Sequence, residues 1–327
     1  MASSCAKEIE STEIGKLKIM EVPKGFPEIE HPEGNEYTSE RWELGKQLFY
    51  DPILSKDGSI SCASCHDPSL AFSDNESVSI GSGGLVGTRN APSLANVAYH
   101  PYYTREGGLP TLEMQILVPI QEHNEFNNNI VLIADTLAKI PAYVQMAKSA
   151  YDRELGAFVI TRALSQFERS MISGQSQYDL EYNYGIEGSI SEAAVRGKIL
   201  FESERTSCGT CHSGFNFTNY SFQNNGLYDV YPDNGRERLT QDPNDRALFK
   251  VPSLRNVEVT GPYMHDGSIK TLTEVIEHYN NGGRNHSNKS SLIEPMGLKD
   301  SEKTDLLAFL ESLTDQNFLT NKNLSNE

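Results

Sequence analysis

Apolar residues recur at helical spacing in separated stretches and almost nowhere alternate as a half-buried strand requires. Trp42, Leu44 and Leu48 predict a helix over Glu40–Phe49. Thr111 caps a second, with Leu112, Ile116 and Leu117 along one face to Ile120. The longest periodic stretches are Ile130–Ala150, broken at Pro141, and Ala157–Ser173. Ser191 and Glu192 open a helix to Phe201, and Leu272–Tyr279 and Ser301–Leu313 complete the set. Strand signals are few and the loops are long, so the expected class is all-α. The longest apolar run, near Ile130–Ala134, is about five residues, well short of a membrane-spanning helix. Residues 1–37 show no clear period and read as an arm or tether, and 320–327 as a polar tail.

The chain also repeats itself. Gly45-Lys46-Gln47-Leu48-Phe49 returns as Gly197-Lys198-Ile199-Leu200-Phe201. Pro92-Ser93-Leu94-Ala95-Asn96-Val97 returns as Pro252-Ser253-Leu254-Arg255-Asn256-Val257, an offset of 160 that also relates Tyr103 to Tyr263 and Thr111-Leu112 to Thr271-Leu272. Two copies of one unit, 38–187 and 188–320, are the expected organisation, with the boundary near Gly185–Ser191.

Composition sharpens this picture. Only 37% of the 327 residues are apolar, yet 15 Tyr and 13 Phe argue against disorder. Cores filled partly by something other than side chains reconcile the two. Acidic residues outnumber basic ones by 45 to 28, a formal charge of −17, which excludes the basic footprint of a nucleic-acid binder.

The five cysteines say what that filler is. Each repeat carries a Cys-x-x-Cys-His: Cys62-Ala63-Ser64-Cys65-His66 and Cys208-Gly209-Thr210-Cys211-His212. This spacing is the signature of covalent c-type haem, with two thiols for the porphyrin vinyl groups and the adjacent His as iron ligand. The competing readings are a structural zinc, which would use four Cys or a C-x-x-C with a spaced His pair, and a pair of redox dithiols, whose βαβ context is not seen; the His that directly follows each pair favours haem over both. Two haem c groups imply a periplasmic protein, with its leader not part of this sequence because Met1–Glu10 lacks an apolar stretch. Cys5 is the odd cysteine, either a lipoprotein anchor or a free thiol at an expressed terminus.

With both motifs followed by Pro-Ser-Leu-x-Asn-Val, and with Thr260-Gly261-Pro262-Tyr263-Met264-His265-Asp266-Gly267 in the second unit, residues 38–315 resemble the bacterial di-haem cytochrome c peroxidases. Their superfamily also holds MauG, which matures methylamine dehydrogenase by oxidising a partner protein. The resemblance implies two cytochrome c-like domains. By the same resemblance, hydrogen peroxide is expected to react at the haem of His66, and the haem of His212 to relay electrons from a small cytochrome c or cupredoxin. It implies homodimers, distal Gln115 and Glu125, and a calcium ion held by the Asn90 side chain and the Thr260 and Pro262 carbonyls. Taken alone, Gln115 and Glu125 would be ordinary surface polar residues. The same resemblance makes a MauG-like oxidase of protein side chains the alternative, and a non-enzymatic electron carrier a third reading.

Three departures bear on chemistry. The loop Asp67–Tyr99 contains no His, although the classical peroxidases place a distal His there; an open first haem is expected, with His100 and His123 the remaining candidates. The classical axial Met of the second haem reads Tyr279, as in MauG, so Tyr279 is expected as sixth ligand, Met264 next, with Met296 the other downstream Met. The Trp expected between the haems reads Arg105, which leaves Tyr102 or Tyr103 for electron transfer and frees Arg105 for haem propionates. Trp42, the chain's one Trp, reads as core.

Overall fold

The first predicted helix forms as α1 (Ser39–Tyr50), with the Thr38 hydroxyl accepting from the Arg41 N–H at its start. The computed structural model describes residues 18–326; Cys5 lies outside them. The remaining helices are α2 (Leu112–Gln115), α3 (Leu117–Gln121), α4 (Ile130–Leu137), α5 (Pro141–Tyr151), α6 (Ala157–Arg169) and α7 (Gln177–Tyr182) in the first half. In the second are α8 (Glu192–Phe201), α9 (Cys208–Cys211), α10 (Glu237–Thr240), α11 (Leu272–Asn280), α12 (Asp300–Glu311) and α13 (Gln316–Leu319). The described residues hold one small sheet, β1 (Phe222–Gln223) antiparallel to β2 (Phe249–Lys250). The architecture is mostly helical, as the periodicity implied.

Two helix pairs organise the chain, α1 on α6 and α8 on α12. Each pair crosses at a glycine. A Cβ at Gly45 would lie 2.0 Å from the Ala163 carbonyl oxygen, and one at Gly197 would lie 1.9 Å from that of Asp305. Backbones this close cannot yield to a methyl group. Gly197→Ala is therefore expected to destabilise the protein by about 1–3 kcal/mol despite alanine's better helix propensity, read as a lower denaturant midpoint. An unchanged midpoint would show that this crossing is not held by close backbone contact.

The repeated Pro-Ser-Leu-x-Asn-Val segments adopt matching geometry. Asn96 and Asn256 both sit in the left-handed region, at φ 61° and 59°, and both are fully buried. The Asn96 side-chain oxygen accepts from the Ser173 N–H, and that of Asn256 from the Asp315 N–H, each at 2.8 Å. Asn tolerates this backbone and satisfies a buried donor as well.

Four sequence expectations change. The helix expected over Thr111–Ile120 is interrupted at Ile116, giving α2 and α3. The one expected through Ser173 ends at Arg169, freeing Ser173 for Asn96. The tail is not a free polar end: Leu324 is 2% exposed and joins Phe318 in the first core. The arm, where described, lies on the body, with Phe26 against Phe215 and Asn35 fully buried. Unpredicted α7 is capped by reciprocal Ser176–Asp179 bonds, and Asp179 forms a fully buried bidentate pair with Arg255 that ties it to the second motif's surroundings.

Candidate functional site

Each Cys-x-x-Cys-His is shaped by a tight turn followed by left-handed residues. Cys62–Ser64 form a 3₁₀ turn closed by Ser61 and Ser64, and the backbone reverses at Ala71 and Phe72 (φ 53° and 61°). This brings the Phe72 carbonyl 2.7 Å from Nδ1 of His66. In the second motif α9 is followed by Phe217 at φ 49°, whose carbonyl lies 3.0 Å from Nδ1 of His212. A carbonyl only accepts, so Nδ1 carries the proton and Nε2 keeps a free lone pair. Burial pushes both imidazoles below their usual range, so both are neutral, the form that ligates a metal. Cys62, Cys65, Cys208 and Cys211 are half-buried free thiols.

A cavity of about 400 Å³ opens beside the second motif, lined by Cys208, Cys211, His212, Tyr279 and Met264. From the first half it receives Asn90, Tyr103, Arg105, Gln115 and Glu168, and from the second Lys250, Thr260 and Pro262. Tyr279 packs in the same apolar cluster as Cys208, whereas Met264 packs with Leu227, Tyr231 and Ala247. Burial pushes the Tyr279 phenol up to about 12, so a phenolate there needs a cation against it.

Glu125 stands apart from that cavity, near the first motif: its charge pushes both Cys62 and Cys65 upward. The segment carrying it is fixed by the glycine-rich loop, where Ser82 donates to the Glu125 carbonyl at 2.8 Å and a Cβ on Gly81 would strike the Asn124 carbonyl at 2.1 Å. Burial, and next the charge of Glu122, raise the Glu125 carboxyl to about 7. Such a group exchanges a proton near neutral pH. Gln115 ends α2 and lines the cavity, whereas Glu125 lies in the turn that follows α3, outside the cavity lining.

His123 is exposed, and His100 lines the central cavity with Nε2 unpartnered. Tyr103 is buried on the same cavity, and Tyr102 stacks on Phe222. Trp42 lies in the first core and donates to Ser170.

Two groups escaped the sequence reading. Glu168 is 5% exposed with Oε2 unpartnered, and burial raises it to about 8. Its position four residues after buried Leu164 was the available signal. Lys250 lines the cavity, and burial, then the Arg105 charge, lower it to about 8.

The model of the family described as di-haem cytochrome c peroxidase matches residues 39–185. A methylamine utilization protein MauG from Methylorubrum extorquens is 37% identical over 290 residues, 87% of this chain and 81% of that one. The chain belongs to the di-haem cytochrome c peroxidase family. A cytochrome c551 peroxidase from Nitrosomonas europaea is 33% identical over 277 residues, 83% of this chain and 79% of the relative. Among solved structures, a MauG-like protein associated with microbial copper homeostasis matches with TM-score 0.88 and 35% identity, covering 93% of this chain and 97% of the other.

Membership of the family implies two haems, and the residues suit them. Free thiols, neutral histidines with a free Nε2, and an apolar-walled cavity are in place. Arg105 and Lys250 are cations on that cavity, and neither makes a salt bridge to a side-chain carboxylate of the described residues, which leaves them suited to propionates. The expected calcium set fits less well. Asn90 donates its amide N–H to the Glu76 carbonyl, and its side-chain oxygen accepts from the Arg105 guanidinium at 3.1 Å.

Proposed function

We propose that this chain reduces hydrogen peroxide to two waters, taking one electron from each of two reduced small redox proteins and two protons from solvent. The observation that carries this reading is Glu125, a carboxyl raised to about 7 beside the first motif. In the proposal Cys62, Cys65 and His66 hold the haem that meets peroxide, and Cys208, Cys211 and His212 the one that passes electrons in. Bound haem supplies the two-electron chemistry that breaks the O–O bond. Glu125 accepts the proton from one peroxide oxygen and returns it to the other, which leaves as water. Gln115 would orient peroxide through its amide. The net charge of −17 steers a basic donor at low salt.

The two covalent attachment motifs support a periplasmic location, where thiols meet oxidising conditions. The matching geometry at Asn96 and Asn256, and at Gly45 and Gly197, supports duplicated units 38–187 and 188–320. A homodimer and a lipid at Cys5 complete the proposal.

A second reading is favoured by one observation, the placement of Tyr279 in the Cys208 cluster. An anionic axial ligand stabilises oxidised iron and suits a MauG-like oxidation of a partner protein's side chains. Mixing holoenzyme with peroxide and a reduced small cytochrome c decides between them. Multiple-turnover oxidation of the cytochrome is expected. Consumption of peroxide with the cytochrome left reduced would overturn the peroxidase reading in favour of the second.

A further inference from the structure

Arg105 occupies an unusual position. It is half-buried and lines the central cavity, and burial lowers it to about 10. One nitrogen donates to the Asn90 carbonyl at 2.7 Å and to the Asn90 side-chain oxygen at 3.1 Å. Its own carbonyl accepts from the Lys250 N–H at 2.7 Å, so its backbone is pinned to β2 of the second half. Of the acids acting on it, Glu106 pairs with Arg89 and Arg238 and Asp233 with Arg89, while Asp266 accepts from the Tyr228 hydroxyl; none forms a salt bridge with Arg105. Its charge is therefore directed into the cavity that Cys208, His212 and Tyr279 line.

The resemblance expects a divalent cation on the Asn90 oxygen. A calcium ion binds its oxygens at about 2.3–2.6 Å. On Asn90 it would share one acceptor with a guanidinium, two cations facing each other at short range in a site screened from water. Asn90 cannot turn its amide to offer another oxygen without losing the Glu76 bond.

We propose that the Arg105 guanidinium is this chain's resident cation between the two haem-binding motifs, standing on the Asn90 oxygen in place of calcium. The charge raises the reduction potential of the second haem, because a nearby cation favours the iron state with less positive charge. The proposal rests on the two-haem reading for what the charge acts upon, but not on peroxide turnover.

The test uses holoenzyme, metal analysis and spectroelectrochemical titration in calcium-free buffer. Wild type is expected to carry no stoichiometric calcium and to keep its potentials when EGTA or calcium chloride is added. Arg105→Gln is expected to lower the second haem's potential, and added calcium to raise it back. Arg105→Lys, which keeps the charge, should match wild type and serves if the neutral variant loads haem poorly. One tightly bound calcium per wild-type chain would overturn the proposal, as would an Arg105→Gln protein whose potentials equal those of wild type without calcium. Neither result would bear on the peroxidase reading, which the cytochrome assay decides separately.

Discussion

Glu125→Gln is expected to slow peroxide turnover by about 10²–10⁴-fold, the span over which a positioned general acid–base acts, with haem content unchanged. The substitution keeps size and hydrogen-bonding capacity and removes only the ability to take up and return a proton. Its pH dependence gives the sharper check. Burial first, and the Glu122 charge second, lift this carboxyl from 4.5 to about 7. The carboxylate, the form that accepts the first proton, is scarce below that value and fills in as pH rises through it. Turnover at low peroxide should therefore climb from about pH 6 to 8 in wild type, with the limb centred near the raised value, and should lose that limb in Glu125→Gln. Removing the Glu122 charge by Glu122→Gln should move the limb to lower pH without abolishing turnover, because a neighbouring anion no longer opposes ionisation. A Glu125→Gln enzyme with wild-type rate would remove Glu125 from the mechanism. The outcome also separates Glu125 from Glu168, which burial raises still higher, to about 8, and which lacks a partner for one oxygen.

Much of this architecture could be read from local pattern, and what escaped reading shares a physical cause. α1, α8 and α11 begin where Thr38, Ser191 and Thr271 offer hydroxyls to the first free N–H groups, because a cap is a local interaction that the sequence displays directly. The split at Pro141 is equally local. Leu324 looked like part of a polar tail because it joins a core built mostly from the first half, and its carbonyl accepts from Tyr50, 274 positions earlier. Arg169 was expected inside a longer helix, but α6 stops there because Ser173 is required by Asn96, a contact across 77 positions. The site divides in the same way. The thiols and histidines are announced by spacing, since covalent chemistry fixes which residues must be adjacent. Glu125 carries no such signature; its raised acidity range comes from burial against the loop at Gly81, which only the fold creates. Arg105 is visible as a departure from the family's Trp, yet its bond to Asn90, 15 positions earlier, is a tertiary fact.

Tyr279→Phe is expected to change the spectrum and potential of the second haem strongly, while Met264→Leu leaves its spectrum near that of wild type. Axial-ligand identity moves haem potentials over ~0.8 V, so the two variants should differ plainly. Two observations favour the phenol. Tyr279 packs in the apolar cluster that contains Cys208, whereas Met264 belongs to the neighbouring cluster around Leu227 and Tyr231. The Met264 sulfur is also engaged already, accepting from the Asn225 amide at 3.0 Å. That same Asn225 favours the charged form of Tyr279, opposing the burial that raises it to about 12. Iron would supply the missing cation, and the phenolate in turn would hold the potential low. Removing it should raise the midpoint potential of the second haem and leave the iron open to cyanide or to a sliding Met264. The near-infrared Fe–Met charge-transfer band checks the assignment: it should be absent in wild type and unaffected by Met264→Leu. A band already present in wild type that persists in Tyr279→Phe and disappears in Met264→Leu would make Met264 the ligand. The second haem would then be a high-potential relay suited to cytochrome donors, and the structural support for partner-protein oxidation would fall with the phenolate.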